Sequence, residues 1–283
     1  LYMLNPKNWH DFIVKRKLFC ELRRNKIKFD ENVKNVLMTN LGVSFKQKVI
    51  SDTELVSLEE CNGYDGIDEL KSQICDDEIK NLRIADIACG SGIFLTEVLD
   101  YLINYCQDWY ERNKKYDHLE ETYTNTYKLT YKEKKEILTS CLYGVDIDYQ
   151  AVEVAKFSLL LKVLENETEE TVTNEKPVLP SLDNNIINGN SLIDLEMLKD
   201  ATTDELISIN PFSFNNINGG NKFDLIIGNP PYVKTEDMIK LQNKKEVQAY
   251  KSEYYVAYKQ FDKYFLFIQR AIDLVKDSGE VCY

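Results

Sequence analysis

Two histidines, His10 and His118, and seven cysteines without a Cys-x-x-Cys pair leave little from which to build a metal centre. The cysteines fall at 20, 61, 75, 89, 106, 141 and 282, an odd and widely spaced set that argues against a disulfide framework. Reduced thiols in the cytoplasm are the plain reading. No apolar run nears the ~18 residues of a membrane span, and no basic-then-apolar leader opens the chain. With 43% apolar and 29% charged residues, disordered and fibrous classes are excluded too. At about 150 residues per domain, the 283 residues allow one or two domains. The chain reaches Tyr283 inside an expected strand beginning at Glu280, and is therefore expected to be a piece of a longer polypeptide.

A net charge of −12 argues against a nucleic-acid partner until it is divided along the chain. Residues 1–50 carry 11 Lys and Arg against 4 Asp and Glu, residues 51–231 carry 15 against 35, and residues 232–283 carry 9 against 8. A basic opening, an acidic middle and a mildly basic end suit a polyanion gripped from two sides. For either segment alone, solvated lysine-rich helices are the better explanation.

Two regions are expected. Residues 1–80 read as helical, with one helix over 7–40 and a second from Ser51, where Ser51 and Glu54 form a capping-box pair before Leu55 and Val56. From 81 to 283 short apolar runs alternate with helical stretches. Strands are expected at Leu82–Ala88, Leu142–Ile147, Asn185–Asn188, Phe223–Ile227 and from Glu280, and helices at Ile93 to about Tyr110 and Tyr149 to about Leu164. This alternation calls for an α/β fold, a mostly parallel sheet with helices on both faces. Residues 111–130 and 210–221 read as surface insertions.

Asp86-Ile87-Ala88-Cys89-Gly90-Ser91-Gly92-Ile93-Phe94-Leu95 ends the first strand. The glycines permit a tight turn and close approach of backbone to a ligand, in the crevice where open α/β sheets bind ligands. The pattern is neither a G-x-G-x-x-G fingerprint nor a P-loop. An acidic residue ahead of it repels a pyrophosphate and suits a cation. Tyr143-Gly144-Val145-Asp146-Ile147-Asp148 ends the second strand, where Asp146 can take both hydroxyls of a ribose. Together these place a pocket on adjacent strand ends at an expected switch point. Asn188-Gly189-Asn190-Ser191 sets short polar groups beside a cofactor's base, although a common turn explains it as well.

Gly228-Asn229-Pro230-Pro231-Tyr232 directly follows the apolar strand Phe223–Ile227. An exocyclic ring amine is a poor nucleophile because its lone pair is delocalised. Two acceptors aimed at its hydrogens favour the pyramidal, nucleophilic form. The Asn229 amide oxygen and the Pro230 carbonyl can be those acceptors, pre-set by the locked φ of Pro230 and Pro231. Tyr232 offers a face for an extracted base.

In these motifs the chain resembles the S-adenosylmethionine-dependent, amino-directed DNA methyltransferases of the adenine-N6 type, more narrowly the methylase portion of type IIG restriction–modification enzymes. The resemblance covers about residues 82–283, with Asp86–Leu95, Gly144–Asp148, Ile187–Leu192, Asn229–Tyr232 and Asp262–Phe267 standing for the family's motifs I to V. About 30 residues separate motifs III and IV, an order like the γ class. It implies a Rossmann-like S-adenosylmethionine-dependent methyltransferase fold, incomplete at its C-terminus, with strand order 3-2-1-4-5. It also implies a cofactor site of Asp86, Ala88, Cys89, Gly90, Gly92, Phe94, Asp146, Ile147, Asn190 and Ser191, and catalytic residues Asn229, Pro230 and Tyr232. Ile147 would pack on the cofactor's base and Asn190-Ser191 would meet it. No metal is implied. The partner would be double-stranded DNA with a flipped adenine, read by a recognition domain beyond Tyr283. The family's Tyr-Thr-Pro motif X is not evident, and Gly42–Gln47 holds other residues at about its distance.

The same Asn-Pro-Pro-Tyr logic serves a protein glutamine amide or an RNA base, and a cofactor-binding recognition subunit inactive alone is a third reading. Tyr250, Tyr254, Tyr258, Phe261, Phe265, Ile268, Ile272 and Val275 recur at helical spacing and are expected to face the core. Lys234–Lys259 could instead face DNA. His10, His118 and Cys89 read as structural.

Overall fold

The computed structural model describes residues 79–122 and 126–283, plus two dipeptides upstream. Those dipeptides, Lys28–Phe29 and Leu55–Val56, pair as a minimal parallel ladder and correct the two expected helices at these points. Phe29 and Val56 are strand-favouring residues, and pairing overrides the loose helical spacing around them. The remainder of both expected helices, His10 and the Gly42–Gln47 stretch lie outside the described residues.

Residues 79–111 and 115–283 form one compact unit. Its elements are β1 (Ile84–Asp86), α1 (Ile93–Arg112), β2 (Leu119–Glu121), β3 (Tyr127–Leu129), α2 (Tyr131–Cys141), β4 (Leu142–Asp146), α3 (Tyr149–Leu164), β5 (Ile186–Asn188), α4 (Thr203–Ile209), β6 (Phe223–Ile227), α5 (Thr235–Leu241), α6 (Lys244–Glu253), α7 (Lys263–Leu274) and β7 (Val275–Cys282). Five strands form a parallel sheet in the order β5-β4-β1-β6-β7. Counted along the sheet this is 3-2-1-4-5, as the resemblance implied. The chain reverses direction across the sheet between β1 and β6, so the switch point lies there and not between β1 and β4 as expected.

Strands covered on both faces need apolar side chains in both directions. Ile84, Leu142 and Leu225 are fully buried, as are Leu95 and Leu99 of α1 and Ala155 and Leu159 of α3. Ala85, Tyr143, Val145 and Ile226 belong to a second cluster with Met238, Tyr250, Leu266 and Phe267. The α1–α3 contact is close enough that a Cβ on Gly92 would stand 2.9 Å from that of Ala155.

Two insertions are more structured than expected. Residues 111–130 carry the antiparallel hairpin β2–β3, and Thr130 then caps α2, an element the sequence reading passed over. Glu133 holds the region together, meeting Lys80 at 2.6 Å and His118 Nδ1 at 2.8 Å, while His118 stacks on Tyr110. His118 is structural, as expected. The stretch 210–221 is no mere surface loop, because Phe212, Phe214 and Ile217 are buried in the second cluster.

The helical stripe needs correction as well. Tyr250, Tyr254 and Phe261 are buried, but Tyr258, Phe265 and Ile272 are exposed. The break between Glu253 and Lys263 resets the helical phase, so α7 turns Leu266, Phe267 and Ala271 inward instead. Among the described residues no helix is long and apolar enough to cross a membrane.

Candidate active site

The carboxyl ends of β4, β1 and β6 bring the expected residues to one edge of the sheet. Asp86 ends β1 with 1% exposure, accepting the Ala88 N–H on Oδ1 at 3.0 Å. Its Oδ2 is buried without a hydrogen-bond partner among the described residues, an arrangement that leaves a carboxylate undersatisfied. Burial, opposed by the Ala88 amide and reinforced by Asp146, pushes the Asp86 carboxyl up to about 7. Gly90 and Gly92 then turn with φ of +52° and +81°, a region costly for any side chain. Cys89 packs beneath the turn, its buried thiol pushed up by burial, Asp86 and Asp146. Ala88 and Phe94 are half-buried on either side.

Asp146 ends β4 and ties the turn to its neighbour. Its two oxygens accept the N–H of Gly90 at 2.8 Å and of Asp148 at 2.9 Å. Each oxygen keeps a further lone pair. Ile147 is half exposed beside it. Gly144 has no room for a side chain, since a Cβ would stand 2.9 Å from Leu95 and 3.1 Å from Cys89.

Asn190 and Ser191 reach the same edge but are buried and internally engaged. Asn190 donates to Glu246 at 3.1 Å and accepts the Leu192 N–H at 3.2 Å, and Ser191 donates to the Ile87 carbonyl at 2.6 Å. Sequence reasoning missed what lies behind them. Glu246 is buried on α6, accepts the Tyr250 hydroxyl at 2.5 Å, and stands 3.8 Å from Lys263. Burial lowers the Lys263 ammonium against the pull of Glu246 and Asp146. A Lys, a Glu and a Tyr in a stretch rich in all three gave no signal of burial. Part of Lys234–Lys259 thus faces inward, while Lys234, Lys240, Lys244, Lys251 and Lys259 remain exposed with Tyr255 and Tyr258.

On the other side of the switch point, Gly228 touches Asp86. A Cβ there would stand 2.5 Å from Asp86 Oδ1, so glycine is the residue that fits. Asn229 follows, exposed, then buried Pro230, and Tyr232 is exposed. The loop is clamped from behind, where Asp262 accepts the Val233 N–H at 3.1 Å and Val233 accepts the Lys263 N–H at 2.8 Å. Thr235 and Phe261 add three more backbone and hydroxyl bonds.

This donor set fits S-adenosylmethionine. An orphaned, buried carboxylate oxygen on Asp86 suits the cationic part of such a molecule. The Gly90–Gly92 turn admits close backbone approach, and Asp146 retains acceptor capacity for hydroxyls.

The family pattern described as Eco57I restriction-modification methylase matches residues 140–283, which includes β4, β5, β6 and the Asn-Pro-Pro-Tyr loop. The chain belongs to that family. It is 47% identical over 208 residues to the type II restriction enzyme and methyltransferase RM.Eco57I of Escherichia coli, covering 74% of this chain and 20% of that protein. It is 24% identical over 212 residues to the type II methyltransferase M.BstVI of Geobacillus stearothermophilus, covering 75% of this chain and 29% of that one. The chain thus spans under a third of the length of either relative. A solved structure, a nuclease-deletion mutant of the type ISP restriction-modification enzyme LlaGI in complex with a DNA substrate mimic, aligns with a TM-score of 0.44. Its identity is 18%, over 71% of this chain and 15% of that one. A restriction-modification methylase uses S-adenosylmethionine in general, in keeping with the fit above.

Proposed function

We propose that this chain is the methyl-transferring portion of a restriction–modification enzyme, acting on N6 of an adenine flipped out of double-stranded DNA. Residues 81–283 are its catalytic domain and residues 1–80 a separate N-terminal region. The observation that carries the reading is the contact of Gly228 with Asp86. It sets an exposed Asn229 at the lip of the cleft whose buried carboxylate suits a sulfonium cofactor.

When bound, S-adenosylmethionine supplies an electrophilic methyl group. Asp86 balances the cation, Gly90 and Gly92 let the backbone approach it, and Asp146 accepts from the ribose hydroxyls. Ile147 packs on the cofactor's base, with Asn190 and Ser191 shaping the far wall. On the substrate side, the Asn229 side-chain oxygen and the Pro230 carbonyl accept the two N6 hydrogens. Held so, the amine lone pair, withdrawn from the ring, would be free to take the methyl group that S-adenosylmethionine would supply, its bond to sulfur being given up, and the surplus proton would leave to water. Tyr232 carries the base by stacking. The groups act by preorganised hydrogen bonding, with no covalent enzyme intermediate.

Isothermal titration with S-adenosylmethionine, followed by methyl-transfer assays of the full-length protein on DNA, RNA and protein, tests the reading. Binding with transfer to duplex DNA is the expected outcome. Transfer only to RNA or to a glutamine amide would replace the substrate, and binding without transfer would make the chain a recognition subunit.

A further inference from the structure

Tyr232 is not an isolated side chain on an exposed loop. Its ring lies on that of Tyr264, with centroids 4.8 Å apart and planes within 11° of parallel. The two tyrosines come from different elements, the loop after β6 and the first turn of α7. One carboxylate sets both. Asp262 Oδ1 accepts the Val233 N–H at 3.1 Å and the Tyr264 N–H at 3.0 Å, capping α7 in the same act. The Lys263 N–H returns to the Val233 carbonyl at 2.8 Å. Two hydrogen bonds thus tie the backbone just after Tyr232 to the residues just before Tyr264, and the third fixes Tyr264 to the same carboxylate. Their rings are in register as a consequence. Tyr264 is itself held on a second side, since its ring centroid lies 6.3 Å from that of half-buried Tyr283. Tyr232 is meanwhile 69% exposed, so the face turned away from Tyr264 is open.

We propose that Tyr264 is a positioning residue for the substrate, backing Tyr232 so that its open face is a preformed platform for the flipped base. The assignment rests on the adenine reading given above. An unbacked tyrosine on a surface loop would have to lose its rotamer freedom when the base arrives. A ring already held in place spares that cost, and the spared cost appears as base retention. Tyr264 touches the base nowhere and acts through Tyr232. The hydroxyls of the pair also interact, so a test must separate ring from hydroxyl.

Tyr264→Leu keeps apolar volume and removes the ring face, while Tyr264→Phe keeps the ring and removes the hydroxyl. The full-length enzyme is bound to its own duplex carrying 2-aminopurine at the target adenine, and fluorescence decays are recorded. A base held against tyrosine decays quickly, whereas a flipped base without a platform decays slowly. The ratio of slow to fast emission should rise about two- to tenfold in Tyr264→Leu, the range expected for removal of an aromatic stack. Tyr264→Phe should keep the wild-type ratio, and both variants should keep wild-type affinity for S-adenosylmethionine. A wild-type ratio in Tyr264→Leu overturns the proposal, as does an equal shift in both variants. Cofactor affinity falling in step with the ratio would mark Tyr264 as packing and overturn it too. A wild-type enzyme that never unstacks the probe contradicts the adenine reading itself, and the platform with it.

Discussion

The two sides of the cleft are built on opposite plans. On the β1–β4 side the two carboxylates are fixed in place, with Asp86 sealed against Gly228 and Asp146 holding the N–H groups of Gly90 and Asp148. On the β6 side Asn229 and Tyr232 stand in solvent, and rigidity comes from behind, through Asp262, Thr235 and two prolines. On the proposed reading, the pinned side would hold the cofactor. A base delivered from a duplex needs an open rim on a stiff support.

The contrast is broken most sharply at Asn229. Asn229→Ala removes one of the two acceptors proposed for the amine while the Pro230 carbonyl and Tyr232 remain. The rate of methyl transfer should fall about 10²–10³-fold, and titration should find cofactor affinity unchanged. A parallel loss of cofactor binding would show that the two sides are not separate devices.

Asp146→Ala probes the other side. It removes the ribose acceptor and also frees the N–H groups of Gly90 and Asp148. Affinity for S-adenosylmethionine should weaken at least tenfold, about 1.4 kcal/mol, by calorimetry on a variant whose circular dichroism is native. Unchanged affinity would remove Asp146 from that role.

Asp86 makes the same side pH-sensitive. Its carboxyl is raised from an ordinary 3.8 to about 7 in the folded chain, chiefly by burial. The folded state therefore holds the proton longer than the unfolded state. Asp86 contributes most to stability at low pH, and that contribution declines as pH rises from about 4 to about 7 and is level above. Cofactor binding has the opposite slope, because a cation needs the ionised form. Affinity should be about tenfold weaker at pH 6 than at pH 8. In Asp86→Asn it should be weak and flat across that range, while the melting temperature of the cofactor-free protein should rise at pH 8. A wild-type affinity independent of pH would detach Asp86 from the cofactor's charge.

The smallest effect is expected on the rim. Lys234, Lys244 and Lys259 are exposed on a segment that also sends residues such as Met238 and Tyr250 into the core. Replacing all three by Gln should lower the salt dependence of DNA binding by the full-length protein, by about 0.9 in log–log slope for each phosphate that is no longer neutralised. An unchanged slope would make these lysines solvated surface.

How much of this was legible in the sequence follows the same divide. Short buried strands followed by Asp-x-x-x-Gly-x-Gly or by Asn-Pro-Pro-Tyr are local signals, and the five strands fall where apolar runs meet turn residues. The start of β7 at Val275 was missed, because Lys276, Asp277 and Ser278 break the apolar pattern. The hairpin β2–β3 was missed for a similar reason, since its buried pair Leu119 and Leu129 stands among charged residues such as Lys128, which meets Glu167 at 2.8 Å. Helix α2 was readable from Thr130 and Glu133 as a capping pair. The Glu246–Lys263 pair was not, since nothing local distinguishes a buried ion pair from a solvated one. The two motifs at β1 and β4 taken alone misplaced the switch point, which the strand order sets, since after β5 the chain returns to pair β6 with the free side of β1.

The central claim is that Asn229, at the lip of the Asp86 cleft, activates an exocyclic adenine amine. Nucleoside analysis of duplex DNA after incubation with full-length enzyme and labelled S-adenosylmethionine tests it most directly. The account predicts label in N6-methyladenine alone, falling about 10²–10³-fold in Asn229→Ala. Label in methylated cytosine, or wild-type turnover in Asn229→Ala, would contradict it and leave Asn-Pro-Pro-Tyr as no more than a rigid turn.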